Sequence, residues 1–382
     1  MSARLKWTSL AAIALVFAAL ALRALEAPPV THFVAPRSGA AAASSKPLYK
    51  SQLLPNGSAQ VHSATAVELA DGRLRAFWYG GTREGAPDVA IYTSVYSPME
   101  DTWGPERAVM TRELAQRQLH RHVRKLGNPV AGRDAAGRIW LFFVSVSVGG
   151  WAGSAINGVV STDEGTTWSS PRRVIASPFL NISTLVKGPL VPLSDGTIAL
   201  PVYHEFLGKF GELLRVDTDG RVIGKTRLSW GKSSLQPVIV PRSETEAVAF
   251  MRYAGDPPAR ILMTRTDDAG AHWSEPVKTT LPNPNAAVGS VLLAGGPLVL
   301  VFNNAEENRE SLSVAVSKDF GDTWRVARVL ESDSQLSRAP VPEYSYPWVV
   351  QDRAGDVHVL YTWGRSRIKH AVFNRAWLEG GG

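Results

Sequence analysis

The sequence predicts an all-β protein, a six-bladed β-propeller, and two sets of internal repeats predict it. In the first set a Ser or Thr is followed by an Asp two places on, a Gly two after that, and a closing Trp. It occurs at Ser161, Asp163, Gly165 and Trp168, at Thr266, Asp268, Gly270 and Trp273, and at Ser317, Asp319, Gly321 and Trp324. An Asp accepting backbone N–H bonds two residues on, beside a Gly free to take positive φ, makes a self-capped hairpin turn, and the Trp plugs that turn into the core. In the second set a polar turn precedes an apolar strand six times: ADGRLRAFWYG from Ala70, AAGRIWLFFVS from Ala135, SDGTIALPVYH from Ser194, ETEAVAFMRYA from Glu244, AGGPLVLVFNN from Ala294 and AGDVHVLYTWG from Ala354. The turn residues Gly72, Gly137, Gly196, Thr245, Gly296 and Gly355 lie about 50 to 65 residues apart, the length of one blade with its loops.

Composition is consistent with one large β-rich domain. The 382 residues are 45% hydrophobic and 20% charged, with 33 Gly and 25 Pro. There is no cysteine, so neither a disulfide framework nor a thiolate metal site is available. No His and carboxylate motif has ligand spacing, so neither a metal nor another cofactor is expected. The net charge of +7 points to an acidic partner. The basic residues are scattered singly rather than gathered into an arm, which argues against nucleic acid.

At the N-terminus, Arg4 and Lys6 precede an uncharged apolar run from Trp7 to Leu22, the layout of a secretory signal. Ala19-Leu20-Ala21 offers a cleavage site, while Arg23 suits an uncleaved anchor, so residues 1–23 are read as a signal peptide or membrane anchor. The protein is expected to be exported, either periplasmic or anchored through residues 7–22 facing the periplasm, and secreted if the leader is cleaved. Residues 24–46, rich in Ala, Pro and Ser, are read as a tether, and 47–376 as the propeller. Degenerate versions of the Asp turn are expected near Pro98–Trp103 and Asp217–Gly220.

Equal offsets from equivalent turns mark equivalent places in space. Nine residues before the turns stand Ser63, Asn128, Lys187, Gln236, Ala287 and Tyr346, and proline follows at Pro129, Pro237 and Pro347. A proline at the first residue of a strand is tolerated, so these residues are expected to enter the innermost strands together at one mouth of the funnel. Such a mouth can be merely wet. Convergent polar groups at a propeller axis are also the usual ligand site.

The Asp turns resemble those of the sialidase superfamily, the bacterial neuraminidase repeat proteins, over roughly Val61 to Phe373. The resemblance implies a sialidase-like propeller, a carbohydrate substrate, and a site in which arginines clamp a carboxylate. In that chemistry a Tyr attacks an anomeric carbon whose own carboxylate would repel a carboxylate nucleophile, and an Asp acts as acid/base. On this resemblance Tyr346 matches the nucleophile, with Tyr344 two residues earlier as the other candidate. Asp88 matches the acid/base, which needs its pKa raised by burial. Arg252 and Arg309 match two of the three arginines. Lys187, Asn128, Arg83, His62, Gln236 and Asn303 complete the expected substrate contacts, and Glu84 shares a loop with Arg83.

Two positions depart from the sialidase pattern. Val61-His62-Ser63-Ala64 stands where the family has its first arginine, and Gln236, which cannot accept a proton, stands where it has the glutamate partnering the tyrosine. Glu343, Glu205, His62 or His204 are the candidates to replace that base. Three readings follow: a hydrolase acting on an acidic or otherwise unusual sugar, an elimination on a uronate, and a non-catalytic propeller that binds glycan or protein.

Overall fold

The computed structural model describes residues 3–25, 31–35, 45–177, 181–332 and 343–380. The chain divides into two compact units, 1–31 and 32–382. The first contains a helix, Ala3–Leu25, along which Trp7, Leu10 and Leu15 are exposed. Among the described residues no helix is long and apolar enough to cross a membrane.

The second unit is six antiparallel sheets, each one blade, as expected. Their innermost strands are Gln60–Glu68, Lys125–Arg133, the interrupted pair Leu185–Val186 and Val191–Pro192, Ser234–Pro241, Gly289–Leu292 and Tyr344–Gln351. Second strands such as Leu74–Gly81 and Ile139–Val146 are buried along their whole length, because a neighbouring blade covers each face. The outer strand Val222–Arg227 alternates between half-buried and exposed residues along most of its length, one face being wet. The ring closes non-locally: Tyr49–Leu53 pairs with Arg367–Phe373 as the fourth strand of blade 6. A C-terminal helix, Arg375–Glu379, supports the closure through Trp377, which stacks on Tyr49 at 4.7 Å.

The Asp turns form as expected, with one correction. Asp163 Oδ1 accepts the backbone N–H of Thr167, four residues on rather than two, and Ser161 Oγ accepts that of Gly165. The turns at Asp268 and Asp319 repeat both bonds. The bond spans four residues because Glu164 and Gly165 both take positive φ, which folds the loop back over the carboxylate. Trp168 and Trp324 then pack edge-on against Phe77 and Phe250 of the preceding blade, wedging adjacent blades together. The degenerate turns lie where expected, Asp217 Oδ1 accepting the N–H groups of Asp219 and Arg221.

The tether needs correction where it is described. Much of 24–46 lies outside the described residues, but Phe33 is fully buried, its N–H donating to Glu244 O at 2.8 Å while it bridges to Leu193. An aromatic side chain reaching the groove between blades 3 and 4 buries too much apolar surface to remain free. An unforeseen helix, Arg112–Leu119, joins blades 1 and 2. It is capped by Thr111 Oγ1 and ended by His120 in the left-handed region.

The inner strands approach so closely at the axis that glycine is required. A Cβ on Gly188 would lie 1.9 Å from Pro237 O of the next blade. Gly188→Ala is expected to destabilise the protein by about 3 kcal/mol, whereas Gly150→Ala, with nothing within 4 Å, should be near neutral. Denaturant midpoints check this.

Candidate active site

All connections from second to third strand open on the same end of the ring as the starts of the inner strands, and the Asp turns lie at the other end. At the open end the inner strands bulge. Ladder register slips between His62 and Thr65, Gly127 and Val130, Leu235 and Val238, and Ser345 and Trp348. Each slip brackets a non-glycine residue with positive φ: Ser63 at 55°, Asn128 at 42°, Gln236 at 54° and Tyr346 at 54°. These are four of the six residues marked by the nine-residue offset, and such backbone costs about 1–3 kcal/mol per residue. Lys187 falls in the break between Val186 and Val191, and Ala287 just before Gly289. The prolines are not at strand starts, as expected from sequence, but inside the bulges, where an innermost edge strand needs no N–H.

Tyr346 lies at the centre of this arrangement. Its phenolic oxygen accepts from Gln236 Nε2 at 3.2 Å, and Tyr203 Oη accepts from the same nitrogen at 3.3 Å and from Asn128 Nδ2 at 3.2 Å. The amide orientation follows from Arg252, which can only donate: its Nη1 meets Gln236 Oε1 at 3.2 Å, so the NH2 faces the two phenols. Gln236 therefore donates to Tyr346 and takes no proton from it. The edge of His62 meets the Tyr346 ring at 4.4 Å. His62 is buried, its Nδ1 has no partner among the described residues, and burial with the nearby Arg365, Arg309, Lys187 and Arg252 pushes its pKa well below the usual histidine value. A neutral, weakly basic imidazole results.

Four basic side chains, Arg252, Arg309, Arg365 and Lys187, surround the His62–Tyr346 pair. Arg252 Nε also donates to Asn285 Oδ1 at 2.6 Å, and Arg309 Nη2 to Asn285 O at 2.6 Å, so one asparagine with positive φ aligns both guanidinium groups. Arg309 Nη1 lies 3.5 Å from Glu343 Oε2. The other oxygen of Glu343 accepts from Arg365 Nε at 2.8 Å and Ser345 Oγ at 3.0 Å. Arg365 Nη1 continues to Glu84 Oε2 at 2.6 Å. Arg252 alone of the three is held only by neutral partners. Glu205, half-buried near Arg252 and Lys209, has its carboxyl pushed up by burial.

Lys187 is fully buried beneath Tyr346, its Nζ 5.6 Å from the ring centre and 3.4 Å from Pro347 O. Burial lowers its pKa from 10.5 to about 7. Between these values the unfolded chain carries a proton that the folded chain has shed. Stability should therefore rise with pH from about 7 toward 10.5, the full penalty standing below 7. Lys187→Met is expected to stabilise the protein most below pH 7 and to flatten that rise, as read from denaturant midpoints of both proteins across the window.

Asp88 contrasts with the expectation of burial. It is exposed, and the hydroxyl and backbone N–H of Thr82 hold its carboxyl below the usual range. It stands at the rim of a shallow hollow lined by His62, Tyr79, Gly81, Arg83, Glu84 and Arg365, for a Cβ on Gly81 would meet Asp88 Oδ1 at 3.1 Å.

Three sequence candidates lie apart from the Tyr346 cluster. Tyr344 is fully buried between blades 5 and 6, its hydroxyl donating to Ser332 O, so its phenol belongs to the core. Asn303 is also buried and clamps Ser311 O and Tyr344 O, which fixes the loop carrying Arg309 rather than a ligand. His204 is engaged by Glu212 at 2.7 Å. Arg365, Asn285 and Tyr203 were missed, since the nine-residue offset samples only inner strands. The signal for Arg365 was its place in the mouth-side turn Gly364-Arg365-Ser366, following the strand that pairs with the one bearing Tyr346.

A sequence model of the BNR repeat-like domain matches residues 72–359, well over half of the chain. No curated protein sequence matches. Among solved structures, a protein of unknown function from Dyadobacter fermentans is similar at 14% identity, covering 91% of this chain and 100% of its own, with a TM-score of 0.68. The intramolecular trans-sialidase of Ruminococcus gnavus, solved with oseltamivir carboxylate, is similar at 14% identity over 87% of this chain and 99% of its own, with a TM-score of 0.64. The NanB sialidase of Streptococcus pneumoniae is similar at 11% identity over 89% and 70%, with a TM-score of 0.65. At these identities the likeness is one of fold.

Proposed function

Because the chain belongs to the BNR repeat-like family and folds as a sialidase-like six-bladed propeller, we propose that it is an exported glycoside hydrolase acting on an acidic sugar. The observation that carries this reading is the His62–Tyr346 pair set among Arg252, Arg309, Arg365 and Lys187 at the funnel mouth. Arg252, oriented by neutral Gln236 and Asn285, takes the sugar's carboxylate together with Arg309. The Tyr346 oxygen attacks the anomeric carbon as the bond to the leaving oxygen breaks, and Asp88 protonates that oxygen. Water then hydrolyses the glycosyl–tyrosine bond.

We assign the phenolic proton to Glu205, which with Tyr346 flanks the shared neighbour Tyr203. Among the mouth carboxylates Glu343 and Glu84 are held in ion pairs, while Glu205 is in none among the described residues and is pushed up by burial. Asp88 is ionised in the free protein, so its protonation belongs to the bound state, in which an anionic sugar displaces water from beside it. Export rests on the apolar helix that begins at Ala3, read as a secretory signal.

One observation favours a second reading. Gln236 donates to Tyr346 where a base would accept, which suits β-elimination on a uronate, with the Tyr346 phenolate taking the C5 proton as the C4–O bond breaks and passing it to the departing oxygen, the arginines neutralising the carboxylate. A screen of the purified protein against sialosides, uronides and deoxy-sugar glycosides tests both. Release of a free reducing sugar supports hydrolysis, and ultraviolet absorbance of an unsaturated uronate supports elimination. Tight binding without turnover would overturn both and leave a binding propeller.

A further inference from the structure

The connections 205–209 and 228–233 lie side by side at the mouth end of blades 3 and 4. Lys209 O accepts the N–H of Ser234 at 3.1 Å, and a Cβ on Gly208 would lie 3.7 Å from Gly231 O. Both present large apolar side chains to solvent and follow them with Gly-Lys: Phe206-Leu207-Gly208-Lys209 and Trp230-Gly231-Lys232. Trp230 is 74% exposed and Leu207 85%. An isolated exposed side chain would need no explanation, but Trp230 is held by an ordered stack. The His204 ring lies on Phe210 at 4.6 Å, the Arg227 guanidinium covers Phe210 at 3.7 Å, and the same guanidinium lies 4.8 Å from the Trp230 ring. His204 is fixed in turn by Glu212. A cation clamped between two aromatic rings sets the indole in place and leaves most of its surface bare.

From this geometry we infer that Trp230, with Phe206, Lys209 and Lys232, forms a platform for the next residues of an acidic polysaccharide. The inference rests on the reading of the funnel as a sugar site. The indole face stacks on the C–H face of a pyranose, as apolar rings with a polar edge do. Neither Lys209 nor Lys232 is in an ion pair among the described residues, so both cations are free to meet carboxylates or sulfates along the chain. The platform adjoins the arginine cluster, because Glu205, the first residue of the same connection, lies near both Arg252 and Lys209. A polymer whose terminal acidic sugar sits at Arg252 would therefore lay its following residues over Trp230.

Affinity electrophoresis of the full chain in gels containing polygalacturonate, alginate or chondroitin sulfate, with dextran as the neutral control, tests this. Retardation by at least one acidic polymer and not by dextran is expected. Trp230→Ala should weaken it about tenfold, a loss of one stacking contact, and Lys209→Gln with Lys232→Gln should weaken it and flatten its salt dependence. Tyr344→Phe, whose phenol lies in the core, should leave it unchanged. Retention of affinity within twofold in Trp230→Ala overturns the platform, as does equal retardation by dextran, or binding to anionic lipid vesicles with no acidic polymer bound. Polymer binding that depends on Trp230 without turnover of any glycoside would refute the hydrolase and leave the platform standing.

Discussion

Tyr346→Phe is expected to lower kcat on the preferred acidic glycoside by about a thousandfold, the scale of losing a group that makes or breaks a bond in the transition state. KM should change little. The phenolic oxygen makes one hydrogen bond among the described residues, from Gln236 Nε2, and the ring keeps its packing against His62 and over Lys187 in the variant. Unfolding should therefore shift by no more than about 1 kcal/mol, the value of one neutral hydrogen bond. Tyr344→Phe is the paired control. It removes a hydroxyl bonded to Ser332 O inside the core, so it should leave turnover intact while costing a comparable amount of stability. Steady-state kinetics with denaturant titration of both proteins reads all of these quantities. Equal turnover in Tyr346→Phe and the parent would remove Tyr346 from the chemistry.

Arg252→Leu is expected to raise KM for the acidic substrate by about a hundredfold. A charge-assisted bond to a carboxylate is worth about 1.5–3 kcal/mol, and 1.4 kcal/mol is a factor of ten. Arg252 should show this more clearly than Arg309 or Arg365, which are already compensated by Glu343 and Glu84. The variant also frees Gln236 Oε1 and Asn285 Oδ1, which Arg252 holds at 3.2 and 2.6 Å. Gln236 can then turn its oxygen toward Tyr346, so kcat should fall as well. An uncharged analogue of the same sugar should bind the parent and the variant alike. Equal losses for charged and neutral sugars would mean that Arg252 orients Gln236 without meeting the anion.

Much of this site was legible because it follows from repetition. The nine-residue offset placed Ser63, Asn128, Gln236 and Tyr346 at equivalent points, and all four occupy the same bulge with φ between 42° and 55°. The offset had no means of showing which way each side chain turns. Tyr344 and Tyr346 are both two residues or less from that point, yet one faces the core and the other the axis, because the bulge reverses the alternation of the strand at Ser345. Asn303 looked like a mouth residue and instead clamps a loop. Asp88 lies near the expected rim but exposed, its charge held by Thr82 on its own loop.

The sequence by itself determined the six-blade ring, its turns, and the segments that meet at the axis, because each blade is a local hairpin pattern written six times. Only the tertiary structure decided the closing strand Tyr49–Leu53, the docking of Phe33, the direction in which Gln236 donates, and the arrival of Arg365 beside His62. These join residues tens to hundreds of positions apart. Such contacts depend on how neighbouring blades approach across the axis, a distance that no single repeat encodes.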